Sequence, residues 1–223
     1  MRPAPARRIR AEAVVGRVIV DDLIPRLEGP RRILADSIAR VMDIARRIDV
    51  RDGGTKRHSE VVARYAELTA RELDLPDDVV HDVRLAGLLH DVGKSAIPER
   101  ILAKPGPLSD IEWLEMRRHP WIAVELLEDS GMDQIREWIY CHHERPDGTG
   151  YPRGLSGDEI PFEARILAVA DAYEAMTNDR VYRQSIGKFR ACEELRACAG
   201  GQFDEVVVEA FLRVVAREDA GEA

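Results

Sequence analysis

The chain has 223 residues, of which 45% are hydrophobic, 33% charged and 5% aromatic. That apolar share excludes a disordered chain and a small disulfide scaffold, and the abundance of Ala, Arg, Glu, Leu and Val favours helix. Lys plus Arg number 33 against 41 Asp plus Glu, a net charge of −8, which is the wrong sign for a general DNA, RNA or acidic-membrane binder.

No apolar run approaches the roughly 20 residues that a bilayer span needs, and no apolar secretory core follows the Arg- and Pro-rich first ten residues. The three cysteines, Cys141, Cys192 and Cys198, have no metal-type spacing and read as reduced thiols of a cytoplasmic protein. Residues 1–30 form an N-terminal extension or the remnant of an upstream region. Their β-branched patch at 14–20 reads equally as a strand or as a piece of an upstream domain. No receiver or sensory domain fits into 30 residues, so a stand-alone enzyme and a fragment both stay open.

From residue 31 the pattern is helical. Leu34, Ile38, Val41, Ala45 and Ile48 form one buried stripe, which Asp52-Gly53-Gly54 breaks. A second helix carries Val61, Tyr65, Leu68 and Leu73 and stops near Pro76. A third, apolar almost all round, runs from about Pro76 to Gly93. Ser109 and Glu112 make a capping box that starts a helix ending near His119-Pro120. Another helix runs from Pro120 to Ser130-Gly131. The next carries Ile135, Trp138 and Ile139 and ends at His142. The Gly- and Pro-rich stretch 145–160 is an irregular loop. Pro161 opens a helix to about Asn178, two more cover roughly 188–199 and 204–217, and 218–223 is a tail. There are no repeats, and the fold class is all-α.

Six histidines are present: His58, His81, His90, His119, His142 and His143. His90 continues the inward stripe Val79, Val83, Ala86, and Asp91 follows it at once. A charged Asp beside a buried-face His is costly unless something pairs with it, and a metal ion would do so. Ala164, Ala168, Asp171 and Ala175 form a stripe of small residues around one carboxylate, which suits a closely approaching helix whose Asp meets a cation. His142 and His143 diverge by about 100° at a helix end, better placed for two adjacent metals than for one. Singly, His58 and His119 read as well as satisfied core or surface residues, His81 belongs to no cluster, and Cys141 reads as core. Imidazoles mixed with carboxylates and no thiolate argue against a structural zinc site and suit Fe, Mn or Zn in a catalytic centre.

His90-Asp91-Val92-Gly93-Lys94 resembles the H-D-x-G-K signature of the HD metallophosphohydrolases. The segments Ile97-Pro98, Ile101 to Gly106 and Met116 to Pro120 resemble the HD-GYP subgroup. The run His142-His143-Glu144, Asp147-Gly148, Gly150-Tyr151-Pro152 resembles its defining motif, and Asp171 to Arg180 and Gly200 to Asp204 complete the order over about residues 31–215. The resemblance implies an HD-GYP domain at 31–217, a helical bundle around a binuclear metal centre. It implies hydrolysis of cyclic di-GMP to linear pGpG, and on to GMP in some members, with mixed cyclic dinucleotides as further substrates. By matched position the metal ligands would be His58, His90, Asp91, His119, His142, His143 and Asp171. Lys94 and Asp91 would serve catalysis. Lys94, Gly150, Tyr151, Arg180 and Arg183 would contact substrate. Members with three metals carry Glu four residues before the first ligand His; here that position is Gly54, so two divalent ions are expected, Fe or Mn, with Zn or Ni allowed.

Two metals roughly 3.5–4 Å apart can hold a bridging hydroxide and clamp a phosphoryl oxygen, and Asp91 is the natural bridging carboxylate. Lys94, one turn on, is placed to meet developing negative charge. Arg145 and Arg153 read equally as pocket cations or as solvated surface charge. The competing readings are a catalytically weak cyclic-dinucleotide sensor or adaptor, and an HD hydrolase of another nucleotide phosphoester. A homodimer or a signalling partner protein is compatible with all three.

Overall fold

The computed structural model describes residues 57–128, 130–179 and 184–221. The 14–20 patch, the 34–48 stripe, Gly54, Arg180 and Arg183 lie outside the described residues, and so does the extension at 1–30. Among the described residues the architecture is helical, with two isolated β-bridges, Asp147 with Ser156 and Ala199 with Phe203. The helices are α1 (His58–Glu72), α2 (Asp77–Leu89), α3 (Glu99–Leu102), α4 (Asp110–Met116), α5 (His119–Leu126), α6 (Asp133–Cys141), α7 (Phe162–Thr177), α8 (Lys188–Ala197) and α9 (Glu205–Ala220). Short 3-10 turns span Val92–Ala96 and Gly157–Glu159.

Helix α1 packs against α2, α7 and α9. Its inward face carries Val62, Ala63, Ala66 and Ala70, all at most 1% exposed; small side chains there let α2 come close. At Gly87 of α2 an added Cβ would stand 2.7 Å from the Ala63 Cα, so only glycine fits this crossing. Tyr65, Tyr173 and Phe211 tie α1, α7 and α9 together, with ring centroids 5.0 to 5.5 Å apart, in the tilted and edge-on arrangements that aromatic pairs prefer.

The capping box forms as the sequence predicts: the Ser109 hydroxyl accepts from the Glu112 amide, and the Glu112 carboxylate accepts from the Ser109 amide at 2.8 Å. α4 ends at Met116 and α5 begins at His119, with Pro120 in its first turn, where a missing amide hydrogen costs nothing. The third predicted helix is shorter than expected. α2 stops at Leu89, and Val92–Ala96 tightens into a 3-10 turn. α9 extends through Ala220, past the boundary set at 217. The short α3 has no signal in the sequence pattern; Ile101 and Leu102 join Ile97 in a small cluster that Leu108, Met116 and Ile122 cover.

Candidate metal centre

Three histidines of the site follow one rule. His90 caps the C-terminus of α2, and its Nδ1 donates to the Gly87 carbonyl at 2.8 Å. His119 opens α5, and its Nδ1 donates to the Met116 carbonyl, the last of α4, at 2.8 Å. His142 caps α6, and its Nδ1 donates to the Ile139 carbonyl at 2.6 Å. The last four carbonyls of a helix have no partner within it, so each imidazole three residues on satisfies one. A backbone acceptor at Nδ1 fixes the tautomer and leaves the Nε2 lone pair outward. His58, at the first residue of α1, pairs its Nδ1 with the Glu174 carboxylate of α7.

The Nε2 atoms of His58, His90, His119 and His142 are all buried, and none has a hydrogen-bond partner among the described residues. Buried polar atoms in a folded protein are almost always satisfied, so four orphans in one cluster require something to bind. Asp91 stands among them. Its Oδ2 lies 3.5 Å from His58 Nε2 and 3.3 Å from His90 Nε2, and its Oδ1 lies 3.5 Å from His119 Nε2. Asp171 Oδ1 is 3.4 Å from His58 Nε2 and 3.9 Å from His90 Nε2. These gaps are too long for good hydrogen bonds. Two atoms held by one cation at about 2.1 Å stand roughly 3–3.5 Å apart, so the spacing fits ligands of a shared ion. The ligand atoms of His58, His90 and Asp91 lie within 4.8 Å of one another, and so do those of His119, His142 and His143. The donor set, imidazole and carboxylate without thiolate, is compatible with a divalent metal.

Electrostatics divide the cluster. Burial drives the His119 pKa down to about 3 and that of His142 down to about 4, and holds His143 well below the usual imidazole range; the three are neutral, as metal ligation requires. Burial also opposes charge on His58, but the neighbouring carboxylates of Asp91, Glu174 and Asp171 outweigh it and raise its pKa to about 10. His90 is raised against burial by Asp91. Asp91 is held well below the usual carboxylate range, because Lys94, His90 and His58 overcome the cost of its burial.

A cavity of about 380 Å³ adjoins the cluster, lined in part by His142, His143, Gly150, Tyr151, Ala168 and Asp171, which is within the range of ligand pockets. Lys94 Nζ donates to Asp91 Oδ2 at 2.8 Å. Tyr151 stacks on His143, 4.8 Å between centroids and 30° between planes, and burial raises the pKa of its hydroxyl, which stays protonated. Gly150 has a packing reason of its own: a Cβ there would stand 2.5 Å from the Arg145 amide nitrogen and 2.6 Å from the Glu144 Cα. Arg145 reaches the cavity wall and pairs with Asp147 at 2.6 Å. Arg153 turns away to Glu137, with nitrogens at 2.8 and 2.7 Å from its two oxygens, and ties the loop to α6.

Two expectations need correction. Of the stripe Ala164, Ala168, Asp171 and Ala175, Ala164 is fully buried as expected, but Ala168 and Asp171, with Ala172 beside them, line the cavity, where small size leaves the space open. Besides Ala164, the buried residues of α7 are Ile166, Leu167, Val169, Ala170, Tyr173 and Glu174. His142 and His143 also diverge less than the helix geometry predicts, since both join His119 in one group. Two buried carboxylates were missed. Glu174 is 1% exposed and Glu144 3%. Glu174 buttresses His58 and accepts from Asn178 Nδ2 at 3.1 Å; its signal was its place three residues after Asp171, among α7's inward residues. Glu144 accepts from the Arg153 and Leu155 amides at 2.6 and 3.0 Å, pinning the loop that carries Tyr151.

The model of the HD domain matches residues 30–207. The chain belongs to the HD domain family. The solved structure of Bd1817, a HDG"Y"P protein from Bdellovibrio bacteriovorus, superimposes on this HD domain with a TM-score of 0.59 at 20% identity, over 71% of this chain and 51% of that one; the likeness is one of fold. The HD domain is 43% identical over 173 residues to the cyclic di-GMP phosphodiesterase response regulator RpfG of Xanthomonas campestris pv. campestris (strain 8004), covering 76% of this chain and 46% of that protein. It is also 43% identical over 173 residues to the cyclic di-GMP phosphodiesterase PA4108 of Pseudomonas aeruginosa, covering 76% of this chain and 41% of that protein. The chain thus spans less than half the length of either relative. These names are consistent with the HD-GYP resemblance of the sequence. Among the described residues no helix is long and apolar enough to cross a membrane.

Proposed function

We propose that this chain is a metal-dependent phosphodiesterase that hydrolyses cyclic di-GMP to linear pGpG, through an HD-GYP domain spanning 31–217. The observation that carries the reading is a cluster of four buried, unpartnered Nε2 atoms, three of which, from His58, His90 and His119, converge on Asp91, beside a cavity lined in part by Tyr151. Two relatives that share the domain are named as cyclic di-GMP phosphodiesterases.

The residues that would hold the metal are His58, His90, Asp91, His119, His142, His143 and Asp171, and the expected complement is two ions, Fe or Mn. Bound divalent cations would supply charge neutralisation at the phosphoryl group and activation of water at neutral pH. The protein's own groups do the rest. Asp91 presents one oxygen to His58 and His90 and the other to His119, the arrangement a bridging carboxylate needs. Lys94 places a positive charge within 2.8 Å of that carboxylate, where it stabilises charge that develops on the phosphate during attack. The protonated Tyr151 hydroxyl offers a neutral donor, and Gly150 and Glu144 hold its loop in place. Arg180 and Arg183 carry substrate contacts in this proposal.

The test is anaerobic loading with iron or manganese, elemental analysis, and chromatography of the products formed from cyclic di-GMP. The expected result is two metals per chain and pGpG as the product, both lost in Asp91→Ala while the helical circular dichroism persists. Tight binding of cyclic di-GMP without turnover by the fully loaded protein would replace this reading with that of a sensor. Full metal content and activity in Asp91→Ala would overturn the assignment of the site.

A further inference from the structure

Outward from the three-histidine group, four planar side chains follow one another along a single cavity. His143 stacks on Tyr151, the Arg117 guanidinium carbon lies 5.1 Å from the Tyr151 ring centroid, and the same carbon lies 6.0 Å from the Trp113 ring centroid. All four line the cavity. Trp113 and Arg117 are four residues apart, at α4 and its C-cap, which puts both on one side of the helix.

Two features of this column have no folding role. Trp113 keeps 46% of its surface exposed, and α4 has no buried residue at all, so the indole is not there to fill a core. Arg117 is exposed and forms no ion pair among the described residues. Its neighbours are spoken for: Arg118 pairs with Glu115 at 3.0 Å, Arg145 with Asp147 and Arg153 with Glu137. In a chain of net charge −8 an unpaired guanidinium held at a cavity between two aromatic rings is a poised donor. Arginine's planar fork matches the O6 and N7 acceptors of guanine, and a half-exposed aromatic face is the usual seat of a base.

We infer that Trp113 and Arg117 form the base-recognition wall of this site, the indole stacking on a purine of the cyclic dinucleotide and Arg117 donating to the O6/N7 edge of guanine. The inference rests on the functional reading above and adds to it the element that distinguishes guanine from adenine. Neither Trp113 nor Arg117 belongs to the candidate metal ligands, so both are substrate-positioning residues.

Binding and turnover test it together. Calorimetric titrations would use hydrolysis-resistant phosphorothioate analogues of cyclic di-GMP and of cyclic di-AMP, with tryptophan emission followed in parallel and Trp113→Phe identifying the responding indole. The expected result is quenching of Trp113 on saturation. Arg117→Ala should weaken cyclic di-GMP about tenfold to a hundredfold, with a much smaller loss for cyclic di-AMP. Trp113→Ala should weaken both by similar factors. In turnover, Arg117→Ala should raise KM for cyclic di-GMP while kcat changes little. Equal losses for the two dinucleotides in Arg117→Ala would overturn the guanine contact and point to a phosphate contact instead. Saturating binding with unchanged Trp113 emission would overturn the stacking. A loaded wild-type protein that binds neither dinucleotide would overturn the functional reading itself, and this inference with it.

Discussion

Replacing Gly93 by alanine tests how the two groups of histidines are held in register. Gly93 lies in the 3-10 turn directly after His90 and Asp91, and that turn packs against α5, which His119 begins. An alanine Cβ would stand 1.9 Å from the His119 carbonyl oxygen, 2.6 Å from the Ala123 nitrogen and 2.9 Å from the His119 carbonyl carbon. Ordinary contact begins near 3.4 Å, so the start of α5 must retreat by about 1.5 Å. The obstruction is backbone on both sides, and no side-chain rotation relieves it. Overpacking of this kind costs about 1–3 kcal/mol, and a rigid helix start places Gly93→Ala toward the upper end. Each kcal/mol lowers Tm by roughly 2–4 °C in a chain of this size, so a fall of about 6–12 °C is expected in scanning fluorimetry. The shift also draws His119 Nε2 away from Asp91, so elemental analysis should find reduced metal content in the protein that remains folded. Gly106→Ala is the control, since a Cβ there meets nothing within 4 Å and should change stability by no more than about 0.5 kcal/mol. Wild-type Tm and full metal content in Gly93→Ala would refute the reasoning.

Three further outcomes follow from the site. Lys94→Ala should lower kcat by about 10²–10³-fold with little change in KM, read by steady-state kinetics at matched metal content; a change confined to KM would move Lys94 from the reacting phosphate to ground-state binding. Glu174→Gln leaves the shape of α7 intact but weakens the hold on His58 Nδ1, and should cost roughly 10–100-fold in metal affinity, measured by competition with a chelator; unchanged affinity would mean that Glu174 only fills space. Arg153→Ala removes a half-exposed pair with Glu137, worth about 0.2–1 kcal/mol, so its kcat should match wild type and its Tm should fall by no more than a few degrees.

Much of the bundle was legible because helical periodicity and capping are local. The Ser109 box, the stop near Pro76 and the start at Pro161 all appear where the residues put them. His90, Asp91 and Asp171 could be suspected singly, since each sets a polar group on an apolar or small-residue stripe. Their convergence could not be read, because it depends on how α1, α2, α6 and α7 cross. Glu174 was hidden for a simpler reason: a glutamate inside a helix reads as surface charge unless its neighbours Ala170 and Tyr173 are recognised as the inward face. The alanines of α7 mark a limit of pattern reading. Small residues on a stripe are needed both where helices touch and where a cavity must stay open, and only the crossing of helices tells the two apart.

The same geometry explains why these histidines sit at helix ends and not in mid-helix. In mid-helix the carbonyl three residues back accepts from the next turn, and a histidine Nδ1 would have to compete for it. At the ends of α2, α4 and α6 the carbonyls of Gly87, Met116 and Ile139 are open, and each imidazole closes one while fixing its own tautomer. Helix C-termini also carry partial negative charge, so these chain ends favour a cation before any carboxylate is counted. Asp91 and Asp171 then add full charges where the backbone already supplies partial ones. Moving a ligand histidine one residue along its helix would undo the tautomer lock, the carbonyl cap and the aim of Nε2 together, which makes the position of each histidine relative to its helix end as much a part of the site as the imidazole itself.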